Sequence, residues 1–133
     1  MKRSYPMKFQ KRVGLTPRQR LARLREVIAD TPAETIEMAK WRSVCGTTAC
    51  IAGHGAMDPV LQAEGLNLLP LTGSLSIHGL FHNRPQELAK FFGINDPRMV
   101  TALFYDLIAP AGEETKARQL ALMDQLLEER VEA

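Results

Sequence analysis

From Thr16 onward the chain alternates stretches of helical periodicity with short breaks. Leu21, Leu24, Val27 and Ile28 recur at the spacing that gathers apolar side chains on one helix face, leaving a basic face opposite. Thr16-Pro17-Arg18-Gln19 marks the start. Thr16 can accept a bond from a first-turn N–H, Gln19 can complete a capping box, and Pro17 suits the first helical position. The pattern predicts a helix to about Asp30, before Thr31-Pro32. A further helix is expected from Pro85 to Phe92, where Leu88, Phe91 and Phe92 share a face and Gly93 stands where a left-handed residue ends a helix. Asn95-Asp96-Pro97 then caps and starts another, with Val100, Leu103, Phe104 and Leu107 directed inward. Pro110-Ala111-Gly112 separates it from a last amphipathic helix, roughly Glu113 to Arg130, whose Glu113 and Glu114 suit the positive end of the helix dipole.

Between these segments the pattern is less regular. "ETIEMAKWRSV" fits neither period and predicts an irregular or short helical connector that anchors Trp41 in the core. "VCGTTACIAGHGA", Val44 to Ala56, predicts the start of a short helix capped by Thr47 or Thr48. Gly53, Gly55 and Pro59 limit it to two or three turns. Residues 65–83 carry three glycines, one proline and an alternating Leu75 and Ile77, which suits a loop with at most a small hairpin. The expected fold is mainly α: one domain over 15–133, a bundle of four to five helices with an irregular loop or small hairpin around 65–83. Residues 1–14 intersperse Tyr5, Met7 and Phe9 among charges without sustained periodicity and read as a flexible basic arm.

Composition changes this picture little. A chain of 133 residues with 45% hydrophobic and 24% charged residues can bury a core unaided. No apolar run approaches the roughly 20 residues of a spanning helix, and no signal peptide is read, so a cytoplasmic location without membrane contact is expected. Charge distribution changes it more. Lys2, Arg3, Lys8, Lys11, Arg12, Arg18, Arg20, Arg23 and Arg25 precede the first acid, Glu26, and leave eight bases against fifteen acids in the rest, a net of −7. A positive end on an acidic body suits an acidic protein surface, a symmetry mate or nucleic acid.

The segment holding both cysteines admits several chemistries. Cys50 and His54 lie four apart, as do His78 and His82, which is one weak way to assemble a zinc site, although no Cys-x-x-Cys pair is present. As a nucleophile, Cys50 would have its thiol pKa lowered by a helix N-terminus, with His54 as base. A Cys45–Cys50 disulfide would close a very small loop. Packing explains more residues together. Ala49, Gly53 and Ala56 form a small-residue stripe, Cys45, Cys50 and Ile51 act as compact buried groups, and Gly46 relieves the backbone before the cap. On this reading Trp41, Cys45, Gly46, Cys50 and Gly53 are structural, and no metal or cofactor is expected.

Trp41, "CGTTACIAGHGA" at 45–56 and "FFGINDPRMVTALFYD" at 91–106 together resemble a family of small uncharacterised proteins of bacteria and their phages with a Cys-Gly-Thr-x-x-Cys-x-x-Gly-x-Ala core. The resemblance covers about residues 33–57 and 88–106. It implies a phage or prophage accessory protein and no particular activity. The basic N-terminus and the 65–83 excursion depart from the family pattern. The expected function is that of a non-enzymatic interaction protein, its arm and first helix contacting an acidic partner or a symmetry mate. The alternatives are a nucleic-acid-binding accessory protein using the same cations, and a thiol or zinc protein centred on Cys50 and His54.

Overall fold

A computed structural model describes residues 14–36, 50–69, 75–78, 80–81, 85–105 and 112–130. The arm through Val13, the connector with Trp41, Cys45, Gly46, Thr47 and Thr48, and His82 lie outside the described residues, as do the expectations placed on them.

Helix α1, Pro17–Ala29, starts where the capping box predicts. The Gln19 N–H donates to Thr16 Oγ1 at 3.1 Å, and the Thr16 N–H donates to Gln19 Oε1 at 2.9 Å. Its apolar stripe, Leu21, Leu24 and Ile28, is wholly buried, and α1 packs most closely against the C-terminal helix. Its C-terminal carbonyls are met by the Asp30 and Thr31 N–H groups, by Thr31 Oγ1 and, for Ala29, by Lys116 of the C-terminal helix, whose Nζ donates to Ala29 O at 3.1 Å and to Thr31 O at 2.8 Å. A single 3₁₀ turn, Ala33–Thr35, follows.

Helix α2, Ile51–Ala56, is one and a half turns long and is capped by Cys50, where a threonine cap had been expected. It does not run on to Pro59. Asp58 accepts from the Leu61 N–H at 3.1 Å and Pro59 takes the first position of a separate helix, α3, Pro59–Ala63. An Asp-Pro pair is a cap and a first residue as readily as it is a stop.

The 65–83 excursion contains a three-stranded antiparallel sheet: β1, Leu66–Leu68, β2, Leu75–Ile77, and β3, Leu80–Phe81, in that order. The register pairs Leu66 with Ile77 and Leu68 with Leu75, then Ile77 with Leu80. Leu66, Leu75 and Ile77 are buried and join the sheet to the helical core. His78 turns the chain out of β2 in the left-handed region, φ 56°, its N–H donating to Gly65 O at 2.7 Å.

Helices α4, Pro85–Phe92, α5, Pro97–Phe104, and α6, Glu113–Arg130, complete the fold. The predicted stop at Gly93 has φ 69°, and Asp96 caps α5 by accepting from the Arg98 N–H at 2.9 Å. α5 ends at Phe104 with Tyr105 as its cap, and Leu107 lies outside the described residues. Phe92 and Phe104 stack with centroids 5.5 Å apart, and Phe91 meets Phe92 edge-on at 4.9 Å. Ring pairs of this geometry add to what their buried area contributes.

Candidate functional site

Two groups of residues carry the chemistry read from the sequence: the Cys50–His54 turn and the basic N-terminal quarter. Cys50 lies at the N-cap of α2 with 1% of its surface exposed, and its Sγ accepts from the Gly53 N–H at 3.4 Å. Burial pushes the thiol pKa up to about 11, against the lowering that the backbone N–H groups of the first turn supply. The nucleophile reading expected the reverse balance; the helix end is present, but the surrounding apolar core outweighs it. Gly53 is buried beside it, as the packing reading expects.

His54 does not turn back to the thiol. Its Nε2 donates to the carbonyl of Thr35 at 2.8 Å, which fixes the Nε2–H tautomer and ties α2 to the 3₁₀ turn. Burial lowers its pKa, with that carbonyl acting in the opposite direction. His78 lies elsewhere, exposed, its ring over Gly65 and 6.4 Å from the Phe91 centroid. Among the described residues no three His, Cys, Asp or Glu side chains are grouped to hold a metal ion.

The four arginines of α1, expected to face a partner, all reach groups of the chain itself. Arg18 Nη1 donates to Leu127 O at 2.8 Å. Arg20 Nε donates to Glu64 Oε1 at 3.1 Å and its Nη1 to Phe91 O at 3.1 Å, while its guanidinium lies 4.5 Å from the Phe91 ring centroid. Arg23 forms a fork to Asp58, Nη2 to Oδ1 at 2.7 Å and Nε to Oδ2 at 3.0 Å. Arg25 forms a similar fork to Asp124 of α6, at 2.8 and 3.1 Å. The basic face of α1 is thus a set of ties to α3, α4 and α6.

Burial ranks these ties. Glu64 is 3% exposed and Asp58 8%, so each is a carboxylate that must be paired to be tolerated, whereas Asp124 lies in solvent and its pair contributes little. Burial raises the Asp58 pKa, but the Arg23 fork and the Leu61 N–H outweigh it and hold the carboxyl below the usual range.

Glu64 also fixes the root of the arm. Its second oxygen accepts from the Gly14 N–H at 3.0 Å, with Gly14 at φ 119°. No local spacing points to this pair, since Glu64 lies fifty positions from Gly14. For Asp58 a signal existed in the Asp58-Pro59 pair, which had been read only as a helix limit. Comparison of the chain with family models, with curated proteins and with solved structures gives no match.

Proposed function

We propose that the protein is a cytoplasmic, non-enzymatic interaction protein that binds an acidic protein surface, or a second copy of itself, through Lys2, Arg3, Lys8, Lys11 and Arg12. The resemblance over about residues 33–57 and 88–106 supports reading it as a phage or prophage accessory protein. One observation carries the proposal: of the nine cations that precede the first acid, the four on α1 are engaged by the chain's own carboxylates and carbonyls. The work of meeting a partner therefore falls to the other five. They precede Gly14, whose N–H is bound by Glu64, in a chain whose remaining residues carry a net negative charge. The buried Cys50 thiol, held protonated at neutral pH, supports a packing and capping role over a reactive one.

The test is a titration by fluorescence anisotropy of the full chain against a labelled Glu-rich peptide and, separately, a labelled single-stranded oligonucleotide. The same protein is run in parallel by light scattering for self-association. The proposal expects binding to the acidic peptide, or self-association, that weakens with salt and is lost when the five arm cations are changed to Gln. Tighter binding of the oligonucleotide would overturn it in favour of nucleic acid, and no association of any kind at low salt would overturn both.

A further inference from the structure

Helix α6 turns one face into the core, and that face is not apolar along its whole length. Met123 and Leu126 belong to the apolar cluster, but Gln119 and Thr115, four and eight positions before Met123 on the same stripe, are wholly buried as well. Two of their atoms, Thr115 Oγ1 and Gln119 Oε1, have no hydrogen-bond partner among the described residues. A buried oxygen left in this condition forfeits the bonds it makes with water in the unfolded chain, which is why folded proteins pair nearly all of them.

The Gln119 amide does not gain by turning over. α5 ends at Phe104, so the Ala102 carbonyl has no donor within its own helix. Gln119 Nε2 donates to it at 3.3 Å. Exchanging the two ends of the amide would set oxygen against oxygen, so the bond that caps α5 from α6 also fixes Oε1 facing away from Ala102. The Thr115 hydroxyl lies one helical turn from Gln119, a spacing that holds the two Cβ atoms about 5–6 Å apart.

We infer that one buried water bridges Thr115 Oγ1 and Gln119 Oε1. The amide oxygen only accepts, and the hydroxyl both donates and accepts, so the bridging group must donate to one and can do either with the other. Water meets both needs. With bonds of about 2.8 Å on each side it joins oxygens up to roughly 5.5 Å apart, which matches side chains one turn apart. A metal ion suits the place poorly, since both oxygens are neutral and among the described residues no three His, Cys, Asp or Glu side chains are grouped to hold one. The elements that α6 meets carry small residues here, Ala33 in the 3₁₀ turn and Ala102 in α5, and one water asks little room beside them. The bridge completes the partners of Gln119 and lets a single side chain cap α5 from within the core.

The test is a high-resolution crystal structure of the full chain, joined to oxygen-17 relaxation dispersion of water, which detects waters held inside a protein and does not respond to exchange of hydroxyl protons. The expected result is a water within hydrogen-bond distance of both oxygens. The dispersion amplitude of the native chain should exceed that of Thr115→Val and of Gln119→Met by the contribution of one water. Both substitutions nearly keep side-chain volume, and the native crystal structure decides the matter should either variant fail to fold. Thr115 Oγ1 donating directly to Gln119 Oε1, a group of the chain meeting either oxygen in place of water, or equal amplitudes in the native chain and the folded variants would overturn the inference.

Discussion

At Cys50 a thiol does the work usually given to an oxygen, and this decides what substitutions there do. Sγ is the acceptor for the Gly53 N–H and is surrounded by core. Cys50→Ala removes the cap and leaves a small void, an expected loss of about 1–2 kcal/mol by urea unfolding. Cys50→Ser buries a hydroxyl but keeps an acceptor at the cap, so its loss should be smaller; a larger one would show that apolar packing matters more than the bond. The native thiol, with its pKa pushed up to about 11 by burial, should react with a thiol reagent at pH 8 only as fast as the protein unfolds. Gly65 poses a different constraint. Its φ is 111°, and a Cβ there would lie 2.5 Å from His78 Nδ1, so Gly65→Ala strains the backbone and displaces the ring that packs on it. His54 adds a pH term. Because burial lowers its folded pKa, the unfolded chain takes up a proton first as the pH falls below about 6.5, so its contribution is present above that value and lost below it. His54→Gln should flatten the pH dependence of the urea midpoint just below 6.5.

At the scale of elements, α1 is held on one side by its leucines and on the other by arginines that bind buried or exposed acids. The distinction predicts a ranking. Arg20→Ala leaves Glu64 charged and buried without its main partner, an expected loss of about 3–5 kcal/mol, whereas Arg25→Ala breaks a pair whose acid lies in solvent and should cost about 0–1 kcal/mol. Equal losses in urea unfolding would contradict the ranking. Close approach of α2 to α1 makes a second demand. A Cβ on Gly55 would lie 2.8 Å from Leu24 Cδ1, the end of a wholly buried side chain that would have to shift. Gly55→Ala gains about 1 kcal/mol in helix propensity, which overpacking of about 1–3 kcal/mol offsets or exceeds. These two demands also show what the sequence made legible. The capping box at Thr16, the stop at Gly93 and the Asp96 cap depend on residues a few positions apart, and they are found where local spacing predicts them. The division of Ile51–Ala63 into two helices is carried by Asp58-Pro59, a cap and first-residue pair that also suits the end of the helix before it. Of the expected small-residue stripe, Gly53 and Ala56 are buried and Ala49 lies outside the described residues, while Gly55, outside that stripe, also approaches Leu24 closely. The destinations of Arg18, Arg20, Arg23 and Arg25 were not readable, since an arginine that reaches across the fold and one that faces water have the same local pattern.

At the scale of the whole molecule, the asymmetry of charge remains but its meaning changes. The positive end is partly a clamp. Asp58, held below the usual carboxylate range, makes that clamp sensitive to acid: its stabilisation is present above the unfolded value of about 3.9 and lost as the pH falls through the lower folded value. Among the described residues no helix is long and apolar enough to cross a membrane. We propose a division among the nine cations, with those of α1 serving the fold and those of the arm serving a partner. It is tested most directly by the isotherm for a labelled Glu-rich peptide, measured on the full chain, on Arg25→Gln and on the chain with Lys2, Arg3, Lys8, Lys11 and Arg12 changed to Gln. Arg25→Gln is the useful α1 variant because its pair is exposed and its loss leaves the fold standing. Arg25→Gln should bind as the native chain does, and the arm variant should lose binding at least tenfold. Retained binding in the arm variant, or an equal loss in Arg25→Gln, would contradict it and return the interaction face to α1.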